Sequence, residues 1–141
     1  MNGSRADQPW FELIGRIFIG GLFVVYGVLQ IYKFGFYIGY MTRFGVPLPE
    51  IGLVLSIILE VGGGLMIACG WKMRWAALVL AIWVLVVTFF FHRFWEFDEA
   101  QAANQMAHFF KNFGISGALL YLFFHGAGPL SLDARENKTA T

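Results

Sequence analysis

The fold class this sequence predicts is an all-α integral membrane bundle of four helices, with interfacial helices in the two outer connections. Three observations carry it. Of 141 residues, 58% are hydrophobic and 18% aromatic, against 13% charged, about half the charged share of an ordinary soluble domain. Four apolar stretches recur, near residues 13–32, 51–70, 75–91 and 109–125. None has the strict alternation of a transmembrane strand, and lipid offers backbone groups no partner, so the spanning form is helical. A soluble domain of this length has too much surface to hide so much apolar side chain. Disorder, a secreted disulfide scaffold and an ordinary cytosolic enzyme are therefore excluded.

The elements follow in order. A polar flank covers residues 1–12, and the first span runs from Leu13 to Tyr32. This apolar run is too long for a signal-peptide core, and no small-x-small cleavage site follows it. The connection Phe34–Glu50 carries Phe36, Tyr37, Tyr40 and Phe44 and then Gly45 and Pro47. That pattern predicts a short interfacial helix ended by the glycine and proline. The second span, Ile51–Gly70, and the third, Trp75–Phe91, are joined by the tight turn Trp71-Lys72-Met73-Arg74, which makes them antiparallel neighbours. Beyond them Phe94, Phe97, Ala100, Ala103, Met106 and Phe110 recur at helical spacing opposite Glu96, Glu99, Gln101 and Asn104. This predicts a second interfacial helix lying among the headgroups. The fourth span is short and glycine-interrupted, starts in the interface at Phe109 and Phe110, and ends near His125. The bundle domain is thus 13–128, and 129–141 reads as a solvated tail.

Charge sets an expected orientation. With four spans, Arg5, Arg16, Lys72, Arg74, Arg135 and Lys138 share one side, and Lys33, Arg43, Arg93 and Lys111 the other. The positive-inside rule then places both termini in the cytoplasm. The formal net charge of +1 gives no basic field for nucleic acid. The single cysteine, Cys69, makes no internal disulfide, redox pair or zinc knuckle.

Glu60 is the most informative residue. It lies nine positions beyond Ile51, about 13 Å down a helix and close to the bilayer centre. Ionisable groups at that depth face a bundle interior or a polar cavity. Ser56 precedes it by one turn on the same face, and Gly62, Gly63 and Gly64 follow, allowing close approach of a neighbouring helix or ligand. Matching depths brings Tyr26, Gly27, Trp83 and Tyr121 to the same level. Glu60 is then either a structural clasp hydrogen-bonded to Tyr26 or Tyr121, or a group that binds or protonates a ligand.

A second polar group gathers at the outer boundary: Lys33, His92, Arg93, His108, Lys111 and Asn112. Taken singly, the lysines read as snorkelling residues and His92 as an interfacial histidine. Asn112 can donate to a carbonyl or phosphate, or cap a helix. Histidines at the boundary rather than facing each other inside spans argue against haem, and no close ligand pair suggests a metal.

The chain resembles the DoxX family of small four-helix membrane proteins. The resemblance rests on Gly15-Arg16, Gly27 with Lys33, Gly45-Val46-Pro47-Leu48-Pro49, Leu59-Glu60-Val61-Gly62-Gly63-Gly64, Thr88 to Trp95, Lys111-Asn112, and Gly128 to Asp133. It implies a bacterial-type inner-membrane protein working near quinones or redox enzymes, as an accessory subunit of a respiratory or oxidative-stress complex. The candidate ligand is a quinone headgroup near the outer helix ends, with no intrinsic cofactor and no activity of the chain alone. Arg16, Lys33, Glu60, His92, Lys111 and Asn112 are the positions carried by the family pattern, and Tyr26 and Tyr121 join them as proton-relay candidates. Two other expectations compete. One is a non-catalytic scaffold in a larger complex or homo-oligomer; the other is a small proton-coupled transporter or channel.

Overall fold

The computed structural model describes residues 9–139. Arg5, the rest of the flank through residue 8, and the last two residues lie outside it. Among the described residues the chain is helical, without strands. Its helices are α1 (Pro9–Tyr32), α2 (Phe34–Arg43), α3 (Pro49–Cys69), α4 (Met73–Phe91), α5 (Glu99–His125) and α6 (Leu132–Thr139). A 3-10 turn, Phe94–Glu96, follows α4. Three helices are long and apolar enough to cross a membrane: α1, α3, and α4 with its extension to Glu96.

The first connection carries a short helix, α2, and Gly45 follows its end at φ +70°, a left-handed conformation that suits glycine. The second expected interfacial helix is not a separate element. Asp98 caps α5 by accepting from the Gln101 N–H at 3.0 Å, and the helix then runs unbroken for 27 residues to His125. No proline interrupts that stretch, and isolated glycines are tolerated inside a helix at modest cost. The apolar pattern over 94–110 is therefore largely one face of the first half of α5.

Helix α1 packs on α3 and α4 on α5, with α3 and α4 antiparallel across the Trp71–Arg74 turn. Small residues set the first contact. A Cβ on Gly64 would lie 2.6 Å from the Gly20 carbonyl, and one on Gly27 would lie 2.6 Å from Val61 Cγ2. Phe23, Ile67, Ala77, Leu80 and Leu119 fill the main core, and Met41, Leu53 and Phe91 form a second cluster beneath α2. The middle of α3, Ile58–Gly62, is a π turn.

The segment expected as a solvated tail begins by folding back onto the turn end of the bundle. Arg16 Nη2 donates to the Leu130 carbonyl. Asp133 accepts from the backbone N–H groups of Lys72 at 2.6 Å and Met73 at 3.1 Å, capping α4 from a distance of sixty residues in sequence. Those N–H groups have no partner within their own helix, and a carboxylate complements the positive end of the helix dipole.

Candidate functional site

The π turn sits where α3 meets α1, and it carries Glu60 inward. The Glu60 side chain is 8% exposed. One carboxyl oxygen accepts from Gln30 Nε2 of α1 at 2.9 Å, and the other from Ser56 Oγ at 3.0 Å. Such turns insert a residue into an α-helix and recur at functional sites. Gly27 lets α1 approach this turn, because a Cβ there would also stand 3.3 Å from Glu60 Cβ.

Glu60 opens onto a cavity of about 400 Å³ between α1, α2, α3, α4 and α5. This is within the range of small-molecule pockets, about 300–1,000 Å³. Its walls are apolar and aromatic, including Phe23, Phe36, Met41, Val87 and Phe91. Around Glu60 it is polar: Gln30 is 8% exposed, and its Oε1 is buried without a hydrogen-bond partner, as is Trp83 Nε1 on α4. Tyr37 of α2 also faces this space, and burial first, then the Glu60 charge, holds its hydroxyl above the ordinary tyrosine range.

Four of the outer polar residues, His92, His108, Lys111 and Asn112, line the same cavity. Asn112 Nδ2 donates to Thr88 Oγ1 at 3.0 Å, and Thr88 Oγ1 donates to the Val84 carbonyl at 2.6 Å. Lys111 Nζ donates to His108 Nδ1 at 3.0 Å, and His92 Nδ1 donates to Gln105 Oε1 at 2.8 Å. The two imidazoles stack with centroids 5.1 Å apart and planes 15° from parallel. Two axial ligands to one haem must approach the iron from opposite faces, so this stack does not fit a bis-histidine site. Burial, then Lys111 and His92, lowers the His108 pKa from its ordinary value, which suits a neutral ring accepting from Lys111.

Of the residues singled out in the sequence, Glu60, Tyr26, His92, Lys111 and Asn112 line this one cavity. The clasp expected from Tyr26 or Tyr121 is a correction: Gln30 and Ser56 hold the carboxyl. Tyr26 borders the cavity at 49% exposure. Tyr121 lies four residues from the far end of α5, stacked on His125 with centroids 3.7 Å apart. A fourth helix beginning at Phe109 would have put Tyr121 deeper; one beginning at Glu99 carries it to the turn end. Arg16 lies at that end too, and Lys33 is exposed outside the cavity lining. Gln30 and Tyr37 escaped the sequence reading. Gln30 had a signal, an amide inside an apolar span; Tyr37 was one aromatic among several.

The DoxX family model matches residues 11–93, which contain the Gly27 approach, the π turn and Glu60. The chain belongs to the DoxX family. Over 126 residues it is 37% identical to the inner membrane protein YqjF of Escherichia coli K12, covering 89% of this chain and 92% of that one. It is 29% identical over 130 residues to the inner membrane protein YphA of the same organism, covering 92% and 93%. The Surfeit locus protein 4 homolog of Schizosaccharomyces pombe is 30% identical over 131 residues, which cover 92% of this chain and 38% of that protein. No solved structure matches the chain significantly. Residues 94–133 of this DoxX protein, beyond the family match, supply His108, Lys111 and Asn112 to the cavity and close the turn end.

Proposed function

We propose that this DoxX protein is an inner-membrane accessory subunit that binds a quinone-type ring in the α2-end cavity, beside a redox enzyme that supplies the electrons. In this reading α5 is a fourth crossing, which brings both termini to the Trp71–Arg74 side. That side carries more Lys and Arg and is therefore cytoplasmic by the positive-inside rule. The named relatives YqjF and YphA are inner membrane proteins, which supports the location.

The observation that carries the ligand is a pair of under-satisfied groups in one apolar cavity: Gln30 Oε1, an acceptor without a partner, and Trp83 Nε1, a donor beside Glu60 that makes no well-formed hydrogen bond to it. A hydroxyl on an aromatic ring satisfies both, whereas a ring carbonyl satisfies only the donor. Lys111 and Asn112 offer donors toward the other end of the ring, and the aromatic walls suit an isoprenoid tail. Glu60 holds Gln30 in place and offers a carboxyl for proton exchange with the ring hydroxyl. The quinol form is the better fit.

The test is mass spectrometry of the protein extracted gently from its native membrane, reading co-purifying proteins and quinones together. Stoichiometric quinol or quinone with a flavin, haem or copper enzyme is the expected result. Trp83→Phe and Glu60→Gln should each lower quinol retention about tenfold, the scale of one lost buried hydrogen bond. An intact assembly without quinone, unchanged by either substitution, would replace this reading with a scaffold. Solute flux in proteoliposomes that depends on Glu60 would replace it with transport.

A further inference from the structure

At the turn end, far from Glu60, a second cavity of about 700 Å³ lies between α1 and α5. Glu12, Gly15 and Arg16 line it from α1, and Ala118, Leu122 and His125 from α5. Arg16 is 1% exposed. Its Nη2 donates to the Leu130 carbonyl, but Nε and Nη1 are buried without partners. A buried guanidinium is stable when its donors and charge are answered. Glu12, one helical turn away, and Asp133 lie near enough to act on its charge, but neither bonds to Nε or Nη1. A cation and an anion thus line the same apolar space, near each other but without a direct ion pair between them.

Depth and access point to a lipid. Glu12 lies three residues into α1, roughly 5 Å from its end and so at the headgroup boundary. Side chains on a helix lean toward its N-terminus, which tilts Arg16 to the same level. Phe11 and Tyr121, on the rim, are 70% and 58% exposed, so the space communicates with the surface of the helix pair. A Cβ at Gly15 would meet nothing within 4 Å, which leaves room along α1 for a chain.

We propose that this groove binds a zwitterionic phospholipid bearing a primary amine, with the phosphodiester on Arg16, the ammonium on Glu12 and an acyl chain along Gly15 and Ala118. The pairing of charges separates this lipid class from phosphatidylglycerol, whose one charge is the phosphodiester and whose neutral glycerol would leave Glu12 without a cation.

Native mass spectrometry of the full-length protein in delipidated detergent tests the assignment, with phosphatidylethanolamine, phosphatidylglycerol and inorganic phosphate added separately. One phosphatidylethanolamine per chain is expected, held about tenfold more tightly than phosphatidylglycerol, the scale of one charge-assisted hydrogen bond. Glu12→Gln should erase that preference. Gly15→Phe should fill the groove and abolish binding of both lipids while leaving the melting temperature within a few degrees. Because Arg16 also holds Leu130, these two variants carry the test rather than a change at Arg16. Equal retention of both lipids by the wild-type protein, or retention undiminished in Gly15→Phe, overturns the proposal. Displacement of the lipid by millimolar phosphate reassigns the groove to a free anion. Quinone content is read separately, so this site and the α2-end cavity stand or fall independently.

Discussion

Gly27 gives the sharpest test of how the α2-end cavity is built. Gly27→Ala adds a Cβ that would sit 2.6 Å from Val61 Cγ2, 3.2 Å from Val61 N and 3.3 Å from Glu60 Cβ. Carbon atoms in contact prefer about 3.5–4.0 Å, so α1 and the π turn of α3 must part by roughly 1 Å. Gln30 is three residues further along α1 and reaches Glu60 across 2.9 Å; a retreat of roughly 1 Å takes that bond past the hydrogen-bonding range. Overpacking costs about 1–3 kcal/mol, and loss of the buried amide–carboxyl bond adds about 1.5–3 kcal/mol.

Gly21→Ala supplies the control, because its Cβ would meet nothing within 4 Å. Both variants gain the same helix propensity, about 1 kcal/mol, so their difference isolates the clash and the broken bond. At about 2–4 °C per kcal/mol, Gly27→Ala should melt roughly 5–20 °C below Gly21→Ala. Thermal unfolding in detergent, followed by tryptophan fluorescence, measures the difference. Melting temperatures within 2 °C of each other, less than about 1 kcal/mol apart, would refute the claim that the α1–α3 approach at Gly27 holds the Glu60 cluster together.

Two further predictions concern the ends of the bundle. Asp133→Ala removes the acceptor for the Lys72 and Met73 N–H groups; it should cost about 1 kcal/mol and speed amide exchange at residues 72–74, whereas Asp133→Asn should retain most of the cap. His108 is held below its ordinary pKa by burial, then by Lys111 and His92, so the unfolded chain takes up its proton first as pH falls. Its contribution to stability is therefore present above about pH 6.5, the unfolded value, and lost as pH drops through the lowered folded value. The melting temperature of wild type should fall more steeply than that of His108→Gln between pH 7.5 and 5.5, and parallel curves would contradict the assignment.

What was legible in the sequence followed from length and apolar content. Four stretches of side chain that only lipid or a buried interface can accept fix the helices, and Gly45 and Pro47 fix the end of α2. Glu60 was legible because a carboxyl among apolar residues has few places to go. Ser56, one turn earlier on the same face, was legible with it; the partner across the helix contact, Gln30, was not. Depth along a helix can be counted, but rotation about the axis cannot, and rotation decided that Gln30 rather than Tyr26 meets the carboxyl. The π turn adds a residue that no pattern of side chains announces, and it changes that rotation locally. Tyr121 went astray because α5 starts ten residues earlier than its apolar stretch, as Asp98 provides the cap. The Asp133 cap of α4 joins residues sixty apart, a pairing that local spacing does not encode.

The π turn also clarifies the division of labour within the proposed ligand site. Both carboxyl oxygens of Glu60 already accept from protein donors, while Gln30 Oε1 has no partner and Trp83 Nε1, beside Glu60, makes no well-formed bond. A buried amide with one end committed has its other end aimed, so the Glu60 bond to Gln30 Nε2 sets the direction of Gln30 Oε1. Glu60 is then first a positioning residue, and a polar group at mid-depth is tolerated because Ser56 and Gln30 satisfy it locally. Leaving an acceptor and a donor unpaired beside it is costly on its own account, by about 1–3 kcal/mol for each. That cost is offset when one hydroxyl answers both, which is the physical reason to look for a ligand in this cavity rather than at the more exposed lysines and histidines of its outer edge.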